Sequence, residues 1–229
     1  MTFILNILHK DFSVLVCDKQ GNASGTVVLQ SAGGQKITVT SPKITLNGVN
    51  KVFTNGPRTL AAGVAGTIQD HPYTSKLKDA ENVVEALDII HAHMSAYLIR
   101  GDRRVVIEAK PVMQNEGLAT YFDVGTAEFF TDLFIYTARE MTSRLFCAQS
   151  DQSRLIHVGS GSAALEGAVG LDNITTFLAT LKGAASPASC LEWIAHAYNK
   201  TSEKAVGCGK EFTALVATRD APTFSELVA

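Results

Sequence analysis

The order of strand-like and helix-like segments limits the fold more than any other feature of this chain. It opens with Thr2–Leu8 and Ser13–Asp18, two short β-rich runs separated by the polar break His9-Lys-Asp-Phe12, a hairpin pattern. Gly25–Gln30 and Lys36–Thr40 alternate around Ser31-Ala-Gly-Gly34. Lys51–Thr54 and Thr59–Val64 flank Asn55-Gly-Pro57, a strong turn signal. A helix is expected over Asp79–Leu98, where Val83, Leu87, Ile90, His91 and Met94 recur at helical spacing and Gly101 can end it. Residues 103–125 read equally as strand, through Val105, Val106, Ile107 and Ala109, or as a second helix. Phe129–Ala138, Arg144–Ala148 and Leu155–Val158 read as strands. Ala163–Ala168, Asn173–Leu181 (capped by Asp172) and Ala188–Asn199 read as helices, and Glu211–Ala217 as a last strand before a polar tail. This succession, with little linker composition, predicts one α+β domain over residues 1–229 in which sheets lie between helix layers.

A chain of 229 residues buries roughly 70–75% of its unfolded surface, enough for such a core. Its 46% hydrophobic and 18% charged residues are those of a folded protein, not a disordered one. A net charge of −2 without a Lys/Arg cluster offers no field for nucleic acid or an anionic membrane. Cys17, Cys147, Cys190 and Cys208 are scattered, which fits reduced thiols in the cytoplasm better than a disulfide framework or a zinc site. Met1–Cys17 is apolar but lacks a basic leading segment and is interrupted by Asn6, His9, Lys10 and Asp11, so no signal peptide is expected. No apolar run approaches the roughly 18–20 residues of a membrane span. His91 and His93 stand two apart and face different ways on a helix, which does not suit a metal pair. Gly159-x-Gly161 is too short for a nucleotide fingerprint, and neither a metal nor a cofactor is expected.

Thr2 follows the initiator Met1 directly. Once methionine is removed, a threonine carries a nucleophile and a base in one residue, since the α-amine can take the proton as the hydroxyl attacks. The amine's pKa of roughly 7.7–8.0 suits that task near neutral pH. Lys51, at a strand start, can bring a positive charge that lowers the cost of an alkoxide, and Asp18 can pair with it. Gly63 leaves its backbone N–H open to a substrate carbonyl, an oxyanion contact of about 2.7–4 kcal/mol in well-studied cases. Each has an ordinary reading too. An Asp ending a strand often caps a turn, a Lys opening one is usually solvated, and Gly63 can simply pack strand on helix.

Thr2, the run Ser13-Val-Leu-Val-Cys-Asp18-Lys-Gln20, Asn50-Lys51-Val52, Ala61-Ala-Gly63-Val-Ala-Gly66 and Leu155-Ile-His-Val-Gly-Ser-Gly-Ser162 resemble the proteasome β-subunit/HslV peptidase superfamily. The branch most similar in character is the beta-proteobacterial proteasome homologues, which are HslV-like. Asp18 stands sixteen residues after Thr2 and Gly63 twelve after Lys51, both as in that superfamily. The resemblance implies the four-layer αββα sandwich of N-terminal-nucleophile hydrolases and a self-compartmentalised threonine-type endopeptidase. It implies Thr2, Asp18, Lys51 and Ser160 as catalytic residues, Gly63 as oxyanion donor, and Gly21 and Asn22 binding extended peptide by β-addition. It also implies stacked homo-oligomeric double rings, here expected to be seven-fold with fourteen subunits, acting on peptides or unfolded proteins. An ATP-dependent unfoldase is a candidate partner.

Two departures stand out. Where the superfamily carries Asp, then Ser three residues on, this chain offers Asn199 and Ser202 as supporting residues. Asn199 can hydrogen-bond Ser160 but carries no negative charge. Residues 22–46 read as an insertion whose extra strands would lie near the site mouth. These departures keep two other readings open, a catalytically weak or silent ring-forming scaffold and an amidase acting on a small amide.

Overall fold

The computed structural model describes residues 2–23, 26–30, 36–40, 44–65, 72–92, 115–136, 141–148, 152–182, 185–205 and 207–227. The opening hairpin forms from β1 (Phe3–Leu8) and β2 (Phe12–Asp18), paired antiparallel with Leu8 opposite Ser13. His9 N–H closes the turn by donating to the Phe12 carbonyl at 2.9 Å. Asp11 N–H donates to His9 Nδ1 at 3.1 Å; the ring proton therefore sits on Nε2, 3.1 Å from the Leu181 carbonyl that accepts it. Every residue of both strands is buried, so this hairpin needs packing on both faces.

The predicted extra strands within 22–46 are present. β3 (Gly21–Ala23) pairs with β6 (Ile44–Leu46), and β4 (Thr26–Gln30) with β5 (Lys36–Thr40), as two nested antiparallel pairs. β7 (Val52–Thr54) and β8 (Leu60–Ala65) begin a five-stranded sheet continued by β9 (Asn115–Asp123), β10 (Glu128–Tyr136) and β11 (Met141–Cys147), in the order β11-β10-β9-β8-β7. The other five-stranded sheet runs β12-β1-β2-β13-β14, with β12 (Arg154–Gly159), β13 (Phe212–Thr218) and β14 (Ser225–Glu226). The helices are α1 (Pro72–Asp79), α2 (helical over 83–92), α3 (Ser162–Val169), α4 (Leu171–Thr180) and α5 (Pro187–Lys204). The fold is α+β, with two five-stranded antiparallel sheets and two two-stranded pairs among the described residues. No helix among the described residues is long and apolar enough to cross a membrane.

Strand alternation sorts the core. Phe3, Leu5 and Ile7 pack with Leu165, Phe177, Ile194 and Tyr198 from α3, α4 and α5. Ile4 and Leu8, pointing the other way, pack with Val52, Ala61, Leu118 and Phe129 of the second sheet. That sheet's remaining face, with Leu60, Ala62 and Phe134, packs on Leu77, Ala86 and Ile90 of α1 and α2. Each Val, Leu, Ile or Phe side chain among these contributes about 1.5–3 kcal/mol on burial. Asn6 interrupts the apolar pattern of β1 and is satisfied across the sheets. Its Nδ2 donates to Ser13 Oγ at 2.8 Å, Thr131 Oγ1 donates to its Oδ1 at 2.8 Å, and Ser13 Oγ lies 2.8 Å from Thr120 Oγ1.

The structure corrects several expected boundaries. The helix expected from Asp79 begins instead at 83, as α2, and Asp79 is the last residue of a separate helix, α1. Asn82 caps the start of α2, its Oδ1 accepting from Glu85 N–H at 2.9 Å, and Glu85 Oε2 reaches back to accept from Glu81 N–H, one residue before the cap, at 2.9 Å. Residues 93–98 of that expected helix lie outside the described residues. In the ambiguous stretch 103–125, residues 115–123 are strand; Val105–Ala109 lie outside the described residues. Asp172 does not cap α4. It sits in the first turn, behind the Gly170 N-cap. The polar tail contributes an edge strand, β14, through Ser225 and Glu226.

Candidate active site

The hairpin register decides what stands beside Thr2. With Ile4 opposite Cys17 on β2 and Phe3 opposite Gly159 on β12, Asp18 and the Gly159-Ser160 turn flank the start of β1 from either side. The sixteen-residue spacing from Thr2 to Asp18 is therefore a product of strand length and a four-residue turn. Thr2 is 2% exposed, Asp18 0% and Lys51 2%.

Asp18 is the hub. Its Oδ1 accepts from Phe3 N–H at 2.8 Å and from Lys51 Nζ at 2.9 Å. Its Oδ2 accepts from Gly209 N–H at 3.2 Å and Gln20 N–H at 3.3 Å. Four donors thus meet the lone pairs of an acceptor-only carboxylate. One oxygen receives both the lysine and the amide directly following Thr2, so the ammonium lies within two hydrogen-bond lengths of that amide. Lys51 Nζ also donates to the Gln20 carbonyl. Lys51 reaches this point because Val52 pairs with Gly63 at the edge of the second sheet, placing the residue before β7 over β2. Removing either member of such a buried ion pair costs about 3–5 kcal/mol.

The Gly-Ser-Gly turn is explained by close approach. Gly159 has φ +93°, and a Cβ there would stand 2.0 Å from the Thr2 carbonyl oxygen. A Cβ on Gly161 would stand 2.5 Å from Phe3 Cγ. Both glycines let the turn lie against residues 2 and 3. Ser160 Oγ donates to the Thr2 carbonyl at 3.3 Å, a long contact, and lies 4.0 Å from Cys208 Sγ. The Tyr198 hydroxyl donates to the Phe3 carbonyl at 3.1 Å. Thr2 and Phe3 are thereby held by groups from three elements. Among the described residues nothing hydrogen-bonds the Thr2 hydroxyl.

The structure brings Thr2, Asp18, Lys51 and Ser160 together. Gly63 lies inside β8, opposite Val52 on one side and Leu118 on the other. A Cβ there would stand 3.2 and 3.3 Å from two Ile4 carbons, so the glycine first serves close packing of sheet on sheet. Gly21 and Asn22 form β3 and are already paired with Leu46 and Thr45. One edge of β3 is therefore occupied by the chain itself, and an added peptide strand would take the other.

Asn199 and Ser202 are not where sequence spacing put them. The buried positions of α5 are Ile194, Ala197, Tyr198 and Thr201, and helical periodicity turns Asn199 outward, where it is exposed. Ser202 Oγ donates to the Asn199 carbonyl at 2.7 Å within the helix. Among the described residues Ser160 meets Thr2 and Cys208 instead.

Three participants carried no usable sequence signal. Glu116 Oε1 accepts from Gly159 N–H at 2.9 Å, bringing a carboxylate from β9 to the turn beside Thr2. It lies in the stretch whose strand or helix character was open. Gly209 approaches so closely that a Cβ would stand 2.8 Å from Gln20 Cβ. Cys208 reaches Ser160 only because the chain turns at Gly207, with φ +90°. Neither thiol here is an activated nucleophile. Burial, then the Asp18 charge, pushes the Cys208 thiol up to about 11. The same two causes raise Cys17 well above the ordinary thiol range, in the core between the sheets.

Among the described residues no group of three or more His, Cys, Asp or Glu side chains is placed to hold a metal ion. Compared with models of known protein families and with curated proteins, the chain matches none.

Proposed function

We propose that the chain is a threonine-type peptidase whose nucleophile is Thr2 after loss of Met1, built as a four-layer αββα sandwich. The observation that carries the reading is the buried Asp18 oxygen shared by Lys51 and the amide following Thr2. A buried ion pair against the second residue of a chain needs a reason, and alkoxide formation on that residue supplies one. The layered reading is supported by the three core clusters, which lie between helices and the first sheet, between the sheets, and between the second sheet and α1 and α2.

With Met1 attached, the Thr2 nitrogen is an amide and no base. Freed, its lone pair takes the proton as Oγ bonds to the scissile carbonyl carbon. The carbonyl oxygen becomes an oxyanion, for which the Gly63 N–H is the assigned donor. Collapse breaks the C–N bond, and the leaving amine takes the proton back from the Thr2 ammonium. Water then attacks the ester on Oγ with the amine again as base, releasing the acid. The Lys51 ammonium lowers the cost of negative charge on Oγ, Asp18 fixes it, and Ser160 holds the Thr2 carbonyl. An extended peptide adds to the edge of β3 away from β6, at Gly21 and Asn22. Stacked homo-oligomeric rings, unfolded protein as substrate and an ATP-driven unfoldase belong to the same proposal through the resemblance; native mass of the purified chain tests the rings.

The test of the activity is turnover of a fluorogenic peptide library by protein whose N-terminal mass shows Met1 absent. Cleavage that disappears in Thr2→Ala supports the peptidase. Turnover of small amides alone would favour the amidase, and none at all the scaffold.

A further inference from the structure

Among the described residues a second carboxylate besides Asp18 stands at the Thr2 end of the molecule, that of Glu116, and the proposed chemistry does not use it. It is brought there by register, since Glu116 lies opposite Ala65 on β8 and its Oε1 bonds Gly159 N–H. A Cβ on Gly159 would stand 2.0 Å from the Thr2 carbonyl oxygen and 3.4 Å from Ala65 Cβ. Thr2, Ala65, Glu116 and Gly159, from four strands or their ends, therefore converge on one point. Asn199, the residue expected to support Ser160 and the amine, is exposed on α5 and brings no charge.

We propose that Glu116 is the acidic positioning residue of this site: it holds the Gly159-Ser160 turn against Thr2 and supplies the negative charge facing the α-ammonium released when Met1 is removed. This rests on the reading of Thr2 as an N-terminal nucleophile. An opposite charge across the Gly159 amide from the amine favours its protonated form, and in this proposal Glu116 sets the pH above which the amine is free to act as base. Among the described residues the other charged groups around Thr2 are Asp18 from β2 and Lys51 ahead of β7, which pair with each other. The titratable remainder are the Cys208 thiol beside Ser160, the Cys17 thiol of β2, and Tyr198 of α5 on the Phe3 carbonyl. His157 of β12 is turned to Ser162, whose Oγ lies 2.7 Å from its Nδ1. Among the described residues, Glu116 is the acid joined to the Gly159-Ser160 turn by a hydrogen bond.

The experiment compares wild type, Glu116→Gln and Glu116→Asp, each shown by mass to lack Met1 and by thermal melting to be folded. The rate of capture by a peptide epoxyketone, which consumes both the hydroxyl and the amine of an N-terminal threonine, is followed against pH. A peptide boronate, which needs the hydroxyl, is the control. In Glu116→Gln the midpoint of the acid limb is expected to fall by about one pH unit, while Glu116→Asp keeps it near the wild-type value at reduced rate. A merely structural role would slow both variants and leave both midpoints in place, and that result overturns the inference while the Thr2 reading stands. Absence of capture in wild type would overturn the Thr2 reading, and this inference with it.

Discussion

Lys51→Met tests the hub of the site. The side chain is 1% exposed and its partner Asp18 0%, so the substitution strands a buried carboxylate, which costs about 3–5 kcal/mol. Asp18 retains three backbone N–H donors, from Phe3, Gln20 and Gly209, which places the loss near the low end, at about 3 kcal/mol. Asp18→Asn strips the ammonium of its counter-charge and turns a donor group towards those amides, so its loss should be nearer about 5 kcal/mol. The double variant should be less destabilised than the two losses added, by up to about 3 kcal/mol of coupling. Urea titration reads this directly. With a slope of about 2–3 kcal/mol/M, the Lys51→Met midpoint falls by about 1–1.5 M. Single losses under about 1 kcal/mol that add without coupling are the behaviour of a solvent-exposed pair, and would refute the reasoning.

Thr2→Ala should abolish covalent capture while leaving the melting temperature unchanged, because its hydroxyl has no hydrogen-bond partner among the described residues; intact mass and calorimetry read the two effects. Gly159→Ala should cost about 2–5 kcal/mol, combining left-handed strain with a clash on the Thr2 carbonyl, and chemical denaturation measures it. Thr201 Oγ1 is buried with no hydrogen-bond partner among the described residues, so Thr201→Val should be neutral or stabilising by about 1–2 kcal/mol in the same assay. Burial holds the His157 ring below the ordinary histidine value of 6.5. The unfolded chain therefore binds a proton first as pH falls, and stability should decline from about pH 6.5 down to the folded value. Melting of His157→Gln across that window should show a shallower decline.

How far the sequence carried depends on what made each feature. β1 and β2 were legible because a buried strand is apolar along its whole length and their turn is short, and that register then fixes Asp18 beside residue 2. Lys51 was legible through spacing, yet its 2% exposure was not, since burial of a lysine depends on Asp18 arriving from another sheet. The start of α2 was written in Asn82 and Glu85, but the apolar periodicity that marks the helix, which begins at Val83, does not fix its first residue to within a turn. Asn199 was misplaced because a pattern of types at a given offset ignores which face of α5 they occupy. Glu116 was invisible: a lone carboxylate on a strand acquires meaning only when β9, β8 and β12 are brought together. Gly209 and Cys208 likewise matter through long-range closure onto β2, not through any local motif.

In the proposed mechanism the chain's second residue is a nucleophile made competent by its own freed amine and the lysine–aspartate pair behind it. Fragment mapping of protein treated with a peptide epoxyketone tests this most directly. The expected result is a single adduct on a peptide whose first residue is Thr2. Retention of Met1 on the folded protein, or an adduct on any other residue, would contradict it.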